Sequence, residues 1–304
     1  MKDTAVLLID CPDQKGLVAR VAGLLYQQGA NILHADQHQD HDLGLFFMRV
    51  EWALDGITET SSEPQSNASL DSQPAHQRFN LDAFKIAFAP LAAQLNMHWQ
   101  LTSTAHPTRV ALFCSQYLHC IADLLDRRRS GELECEIPLI VSNHQGVESL
   151  AAFHQIPFEY IAVNAASRTE AEARQIELLN ANSIELVVLA RYMQILSPEF
   201  VAHYPASIIN VHHSFLPAFT GARPYHAAHA RGVKLIGATS HYVTEVLDDG
   251  PIIEQDVARI SHRDQVEDLV ARGRDLERIV LSRAVRWHLD RRILCYGNKT
   301  VVFD

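Results

Sequence analysis

The sequence predicts an α/β architecture in which a parallel, doubly wound sheet is preceded by a smaller α+β unit. Three observations predict it. Beyond residue 107, short apolar runs alternate with helical stretches, the signature of a parallel sheet covered on both faces. Before residue 103 the order of elements reads βαββαβ, a split ferredoxin-like plan. Between the two, "STAHPT" (103–108) breaks the texture with small and turn-forming residues, so the chain divides near 103–107.

The elements follow in order. "TAVLLID" (4–10) is a strand, and "CPDQKG" turns the chain into a helix over 17–29. There Leu17, Val21, Leu24 and Leu25 recur at helical spacing and Gly29 supplies the stop. "NILHADQHQ" and "LFFMRVEWAL" are strands joined by "HDLG". Residues 56–78 are rich in Ser, Gln and Pro and read as a mobile insertion. A helix over 80–96 and the strand "MHWQLT" complete the unit. In the second unit "RVALFCS", "CEIPLIVSN", "FEYIAVN", "IELVVLA" (184–190) and "ASIIN" (206–210) are strands. The intervening "LHCIADLLDRRRSG", "VESLAAFHQ" and "RTEAEARQIELLNAN" are helices, and "KLIGATSHYV" and "PIIEQDVA" are two more strands. In such sheets ligands bind at the carboxyl ends of strands, and Asn210 stands at one of these.

Composition excludes several functions. The 304 residues carry a formal net charge of -10, which argues against nucleic acid as the main partner, because phosphate binding needs a basic face. A small anion held by a local cluster stays open. The five cysteines, Cys11, Cys114, Cys120, Cys135 and Cys295, are scattered without a CxxC pair, so neither a disulfide framework nor a zinc knuckle is expected. No apolar run reaches the ~18 residues of a membrane span, and the N-terminus has no signal-peptide pattern. The expected compartment is the cytoplasm, with no membrane partner.

The candidate site lies in "SIINVHHSFLPAFTGARPYHAA" (207–228). Six histidines fall between His203 and His241, but their spacing is poor ligand grammar. His212 and His213 are adjacent, and His226 and His229 lack the glutamate of an HExxH motif. No metal is expected. Asn210 and His212, two apart on extended chain, face the same way and together form an oxyanion-stabilising pair. A base is offered downstream by "EVLDDG". Its Asp248 is either a carboxylate that orients His212 and takes a proton from water, or part of an ordinary acidic turn.

Joined together, "IINVHHSFLPAFTGARPYHAA" and "GATSHYVTEVLDDGPIIEQ" resemble the formyltransferase-type, tetrahydrofolate-dependent family, a Rossmann-like fold. The resemblance spans roughly 108–303. It implies that Asn210, His212 and Asp248 are catalytic and that "VVLARYMQILSPEFV" binds folate. Met193, Ile195 and Leu196 then either contact the pterin or simply pack in the core, and Arg191 either meets the anionic glutamate tail or is solvated. His241 is implied to shape the pocket. "LLIDCPDQKGLVARVAGLLYQQGANILHADQH" resembles an ACT domain, with Asp13 and Gly16 at its effector-binding turn. The expected division is thus an ACT-like regulatory unit, 1–103, and a formyltransferase-fold catalytic unit, 108–304.

That pairing resembles the formyltetrahydrofolate deformylases. It implies hydrolysis of 10-formyltetrahydrofolate to formate and tetrahydrofolate, formate supply for purine synthesis, glycine or methionine as effector, and a homo-oligomer. No cofactor beyond the folate substrate is implied. Two alternatives are formyl transfer to an amine acceptor and a non-catalytic folate or ACT sensor. Against transfer, the loop after the first strand of the catalytic unit has no glycine between Val110 and Leu124, where a phosphate cradle needs close backbone approach. A transferase acting on methionyl-tRNA is also expected to carry a further C-terminal domain and a basic surface.

Overall fold

A computed structural model describes residues 3–54, 78–218 and 224–304. The insertion expected at 56–78 lies outside the described residues except for Arg78, which pairs with Asp3 at 2.8 Å. Gly221, within the candidate motif, also lies outside them. The chain forms two compact units, Met1–His106 with Phe303–Asp304, and Pro107–Val302.

In the first unit, strands β1 (Thr4–Pro12), β2 (Asn31–Asp40), β3 (Leu45–Ala53) and β4 (His98–Ser103) form an antiparallel sheet in the order β2-β3-β1-β4. Helices α1 (Leu17–Gln27) and α2 (Leu81–Gln94) supply the other half of its core. Gly16 (φ 89°) takes the left-handed conformation that admits the chain into α1. Asn80 caps α2, its side-chain oxygen accepting from the Asp82 and Ala83 amides. Trp52, Phe84 and Phe88 are fully buried and in ring contact. Burial of each stabilises the unit by about 1.5–3 kcal/mol.

The second unit is built on a seven-stranded sheet, among the described residues, in the order β11-β10-β9-β8-β5-β6-β7. Its strands are β5 (Thr108–Cys114), β6 (Cys135–Ser142), β7 (Phe158–Tyr160), β8 (Leu186–Ala190), β9 (Ile208–His212), β10 (Leu235–Tyr242) and β11 (Ile252–Arg259). The strands from β9 to β7 are parallel, whereas β10 and β11 run antiparallel at one edge. Alternation within β5 shows the double winding. Val110, Leu112 and Cys114 enter one core with α3 (His119–Arg129), while Ala111 and Phe113 enter the other with α5 (Arg168–Ala181). Helices α4 (Glu148–Phe153), α6 (Pro198–Ala202) and α7 (Pro224–Arg231) are short.

Three expectations are corrected. The strand "FEYIAVN" ends at Tyr160. The strand expected to end at Asn210 continues to His212, because β10 pairs alongside it, with Thr239 opposite His212 and His241 opposite Asn210. And a 24-residue helix, α8 (Val266–Leu289), with the hairpin β12 (Ile293–Tyr296) and β13 (Lys299–Val302), lies where no element was read. None of the described helices is long and apolar enough to cross a membrane.

Candidate active site

The site forms along the antiparallel seam between β9 and β10. On β9, Asn210 and His212 project from one face. On β10, His241 stands opposite Asn210, and its Nε2 lies 3.2 Å from Asn210 Nδ2. Asp248 arrives from the loop after β10, with Oδ1 3.2 Å from His212 Nδ1 and 3.7 Å from His241 Nε2. Residues separated by 36 positions in the chain, His212 and Asp248, are thereby in contact.

The loop carrying Asp248 is held by steric fit. Asp248 has a φ of 57°, a conformation that Asp tolerates better than most residues. The Tyr242 amide donates to the Pro251 carbonyl at 2.9 Å. Gly250 lies so close to β10 that a Cβ there would sit 1.8 Å from the Tyr242 carbonyl oxygen. The glycine of "DDG" is therefore required by contact with β10, beyond any preference for turns. Thr239 pins the segment beyond β9, its hydroxyl accepting from the Leu216 amide and donating to the Ser214 carbonyl.

A chain of hydrogen bonds fixes the Asn210 amide. The Tyr242 carbonyl can only accept, so at 2.9 Å it takes the proton of His241 Nδ1. Burial lowers the His241 pKa below its ordinary value, which keeps the ring neutral and leaves a lone pair on Nε2. That lone pair accepts from Asn210 Nδ2, so the NH2 end of the amide faces His241 and its second hydrogen is free for a ligand. His212 is 5% exposed, and its Nε2 has no hydrogen-bond partner among the described residues. The hydrogen bond with His212 and then the charge of that ring hold the Asp248 carboxyl below its ordinary value, against partial burial. The arrangement offers two N–H donors and a carboxylate to one carbonyl-sized group, the requirement for stabilising an oxyanion while activating water.

The folate-loop residues separate into two environments. Met193 and Ile195 are half-exposed, at 50% and 56%, so they are not core packing, whereas Leu196 is buried in the core. The loop is tied from α5, where Arg168 donates to the Ile195 carbonyl at 2.6 Å and Glu172 accepts from the Ser197 amide at 3.0 Å. Arg191 is not solvated. At φ 64° it turns inward, is 8% exposed, and its Nε lies 3.4 Å from Glu277 Oε2. Glu277 also accepts from His119 at 2.7 Å and from the Tyr225 hydroxyl at 2.7 Å. This cluster was not read from the sequence. Its signal was Glu277 itself, a charge set in the apolar stripe Leu269, Leu276, Val280, Leu281 and Ala284 of α8. In the first unit, Asp13 accepts from Gln39 Nε2 at 3.0 Å, and Gly16 opens α1.

Among the described residues, His119, Cys120 and Glu277 bring possible ligand atoms within 4.8 Å of one another. The Arg191 guanidinium beside Glu277 opposes a cation there, and burial followed by the Glu277 charge pushes the Cys120 thiol well above its ordinary value.

Comparison with known proteins places relatives along the whole chain. The formyl transferase family pattern matches residues 108–285 and the ACT domain pattern residues 5–51. A formyltetrahydrofolate deformylase of Synechocystis is 51% identical over 99% of this chain and 98% of its own length. The crystal structure of a formyltetrahydrofolate deformylase from Pseudomonas syringae superposes with a TM-score of 0.90 at 45% identity, covering 100% of this chain and 95% of that one. A glycinamide ribonucleotide transformylase from Symbiobacterium toebii matches 67% of this chain and 98% of its own, with a TM-score of 0.62 at 29% identity. On these findings and the two-unit architecture, the chain belongs to the formyltetrahydrofolate deformylase family.

Proposed function

We propose that this chain hydrolyses 10-formyltetrahydrofolate to tetrahydrofolate and formate at the β9–β10 seam, with Asn210, His212 and Asp248 as the catalytic residues. The observation that carries the reading is the 3.2 Å approach of Asp248 to His212 beside an amide already oriented by His241. The formyl oxygen lies between Asn210 Nδ2–H and His212 Nε2–H. His212 works as an imidazolium, with Nδ1–H toward Asp248. Asp248 orients a water and receives its proton as the water oxygen bonds to the formyl carbon. Negative charge moves onto the formyl oxygen, where both donors hold it most strongly in the transition state. The carbon–N10 bond then breaks, its electron pair stays on nitrogen, N10 takes the proton that Asp248 accepted, and the formic acid formed loses its own proton to solvent. Formate and tetrahydrofolate leave, and no covalent enzyme intermediate forms.

Hydrolysis, which acts on the C–N bond of a linear formamide, is favoured over transfer by the loop after β5. Tyr117, where a glycine cradle would be needed, lies under the Arg191 guanidinium at 5.3 Å. The exposed Met193 and Ile195 offer apolar contact to the pterin, and Leu196 supports the loop from the core. The same reading gives the chain a cytoplasmic role, supplying formate for purine synthesis and balancing one-carbon pools. Residues 1–103 regulate it as a homo-oligomer, with glycine or methionine bound near Asp13 and Gly16. The test is formate release from 10-formyltetrahydrofolate without any amine acceptor. Turnover that begins only when an amine is added rejects hydrolysis. A response to glycine or methionine that survives Asp13→Ala rejects the regulatory site.

A further inference from the structure

Behind His213 lies a second chamber of about 240 Å³, lined by Tyr117, His119, Arg191, His226, Arg274 and Glu277. It is one residue removed from the catalytic imidazole. His213 lines it, and the His212 and His213 ring centroids are 5.1 Å apart. In a chain of net charge -10 this chamber is locally positive, because two guanidiniums face one carboxylate.

The carboxylate is already committed. Glu277 is 1% exposed and accepts from His119 and Tyr225 as well as lying beside Arg191. Arg191 is not equally satisfied. Among the described residues its Nη1 is buried without a hydrogen-bond partner, and its Nε approaches Glu277 without hydrogen-bond geometry. A guanidinium more than nine-tenths buried with an idle donor is costly unless something accepts from it. Arg274 brings a second guanidinium to the same place, 5.9 Å from the Tyr117 ring centroid on which Arg191 also stacks. A planar fork of donors with a second cation nearby suits a small carboxylate.

We propose that this chamber is the formate site of the enzyme, taking the product carboxylate from the catalytic seam onto Arg191 and Arg274. The proposal rests on the hydrolytic reading above for the identity of the anion. The geometry of the chamber stands apart from that reading. Glu277 and Tyr117 hold the Arg191 side chain in place, and the part of the Arg191 guanidinium that lines the chamber, together with Arg274, receives the ligand.

The test titrates the full-length folded protein, without folate, with [13C]formate and follows the formate resonance. Wild type is expected to bind formate saturably. Arg274→Ala, on the exposed side of α8, and the more invasive Arg191→Met should each weaken it about tenfold or more, the loss of one charge-assisted contact. Asp248→Ala should leave formate affinity unchanged while abolishing turnover. Equal affinity in wild type and Arg274→Ala overturns the proposal, as does tighter binding of inorganic phosphate than of formate. Catalytic formate release is scored separately. Its absence sinks the hydrolysis reading and leaves an anion site, whereas turnover without saturable formate binding sinks the site and leaves the reaction.

Discussion

Asp248 and Glu277 are both carboxylates beside histidine, both held below their ordinary pKa, and they are built for opposite tasks. Burial pushes the Glu277 carboxyl up, but the His119 hydrogen bond, the Arg191 charge and the Tyr225 hydroxyl together outweigh it. Its side chain is 1% exposed and both oxygens are taken. The Asp248 side chain is 18% exposed and meets both imidazoles through the same oxygen, Oδ1. A saturated carboxylate stores stability, because removing it strands a buried cation. A half-engaged one keeps a lone pair for water. On the proposed mechanism, partner count and access, more than the sign of the pKa shift, separate the structural carboxylate from the reactive one.

Substitution sharpens the contrast. Asp248→Ala should lower kcat by about 10²–10⁴-fold in the formate-release assay, with little change in the urea midpoint. Glu277→Ala should do the reverse to stability, costing about 3–5 kcal/mol in urea unfolding by leaving Arg191 uncompensated. Similar stability losses for the two variants would break the comparison. Asn210→Ala should cost about 10²–10³-fold in kcat, the effect of losing one oxyanion donor, with KM nearly unchanged. Gly250→Ala should cost about 1–3 kcal/mol as the new Cβ forces the Asp248 loop away from the Tyr242 carbonyl, and steady-state kinetics should show kcat falling with it.

A further effect concerns pH. His288 on α8 accepts from the Tyr242 hydroxyl at 2.7 Å, and burial drops its pKa from 6.5 to about 3. The folded chain therefore binds fewer protons at this group than the unfolded chain between those values. Stability should fall as pH drops through that window, by up to about 1.4 kcal/mol per pH unit. His288→Gln, which still accepts from the hydroxyl, should flatten that slope in urea titrations at stepped pH. An unchanged slope would show that other groups dominate acid sensitivity.

The convergence of Asn210, His212 and Asp248 at the β9–β10 seam was largely legible because its logic is local. The two-residue spacing of Asn210 and His212 fixes a shared face on any extended strand, and Asp248 sits in a motif with its own spacing. The chamber was not legible, because Tyr117, Arg191 and Glu277 meet only through tertiary packing across much of the second unit. The inward turn of Arg191 rests on a left-handed backbone that nothing in "LARYMQIL" announces, since arginine is an unusual residue there. The neutral state of His241 likewise depends on burial by neighbours, which one strand's pattern does not reveal.

Helix α8 carries Glu277 and His288 on one continuous rod, eleven residues and about 16 Å apart. A single inserted or deleted residue between them would swing one end by about 100° relative to the other. The Arg191 partner and the Tyr242 acceptor would then be unable to dock together. That stretch should tolerate exchange of side chains far better than any change of length, so natural variation in the length of this helix is expected to be confined to its ends.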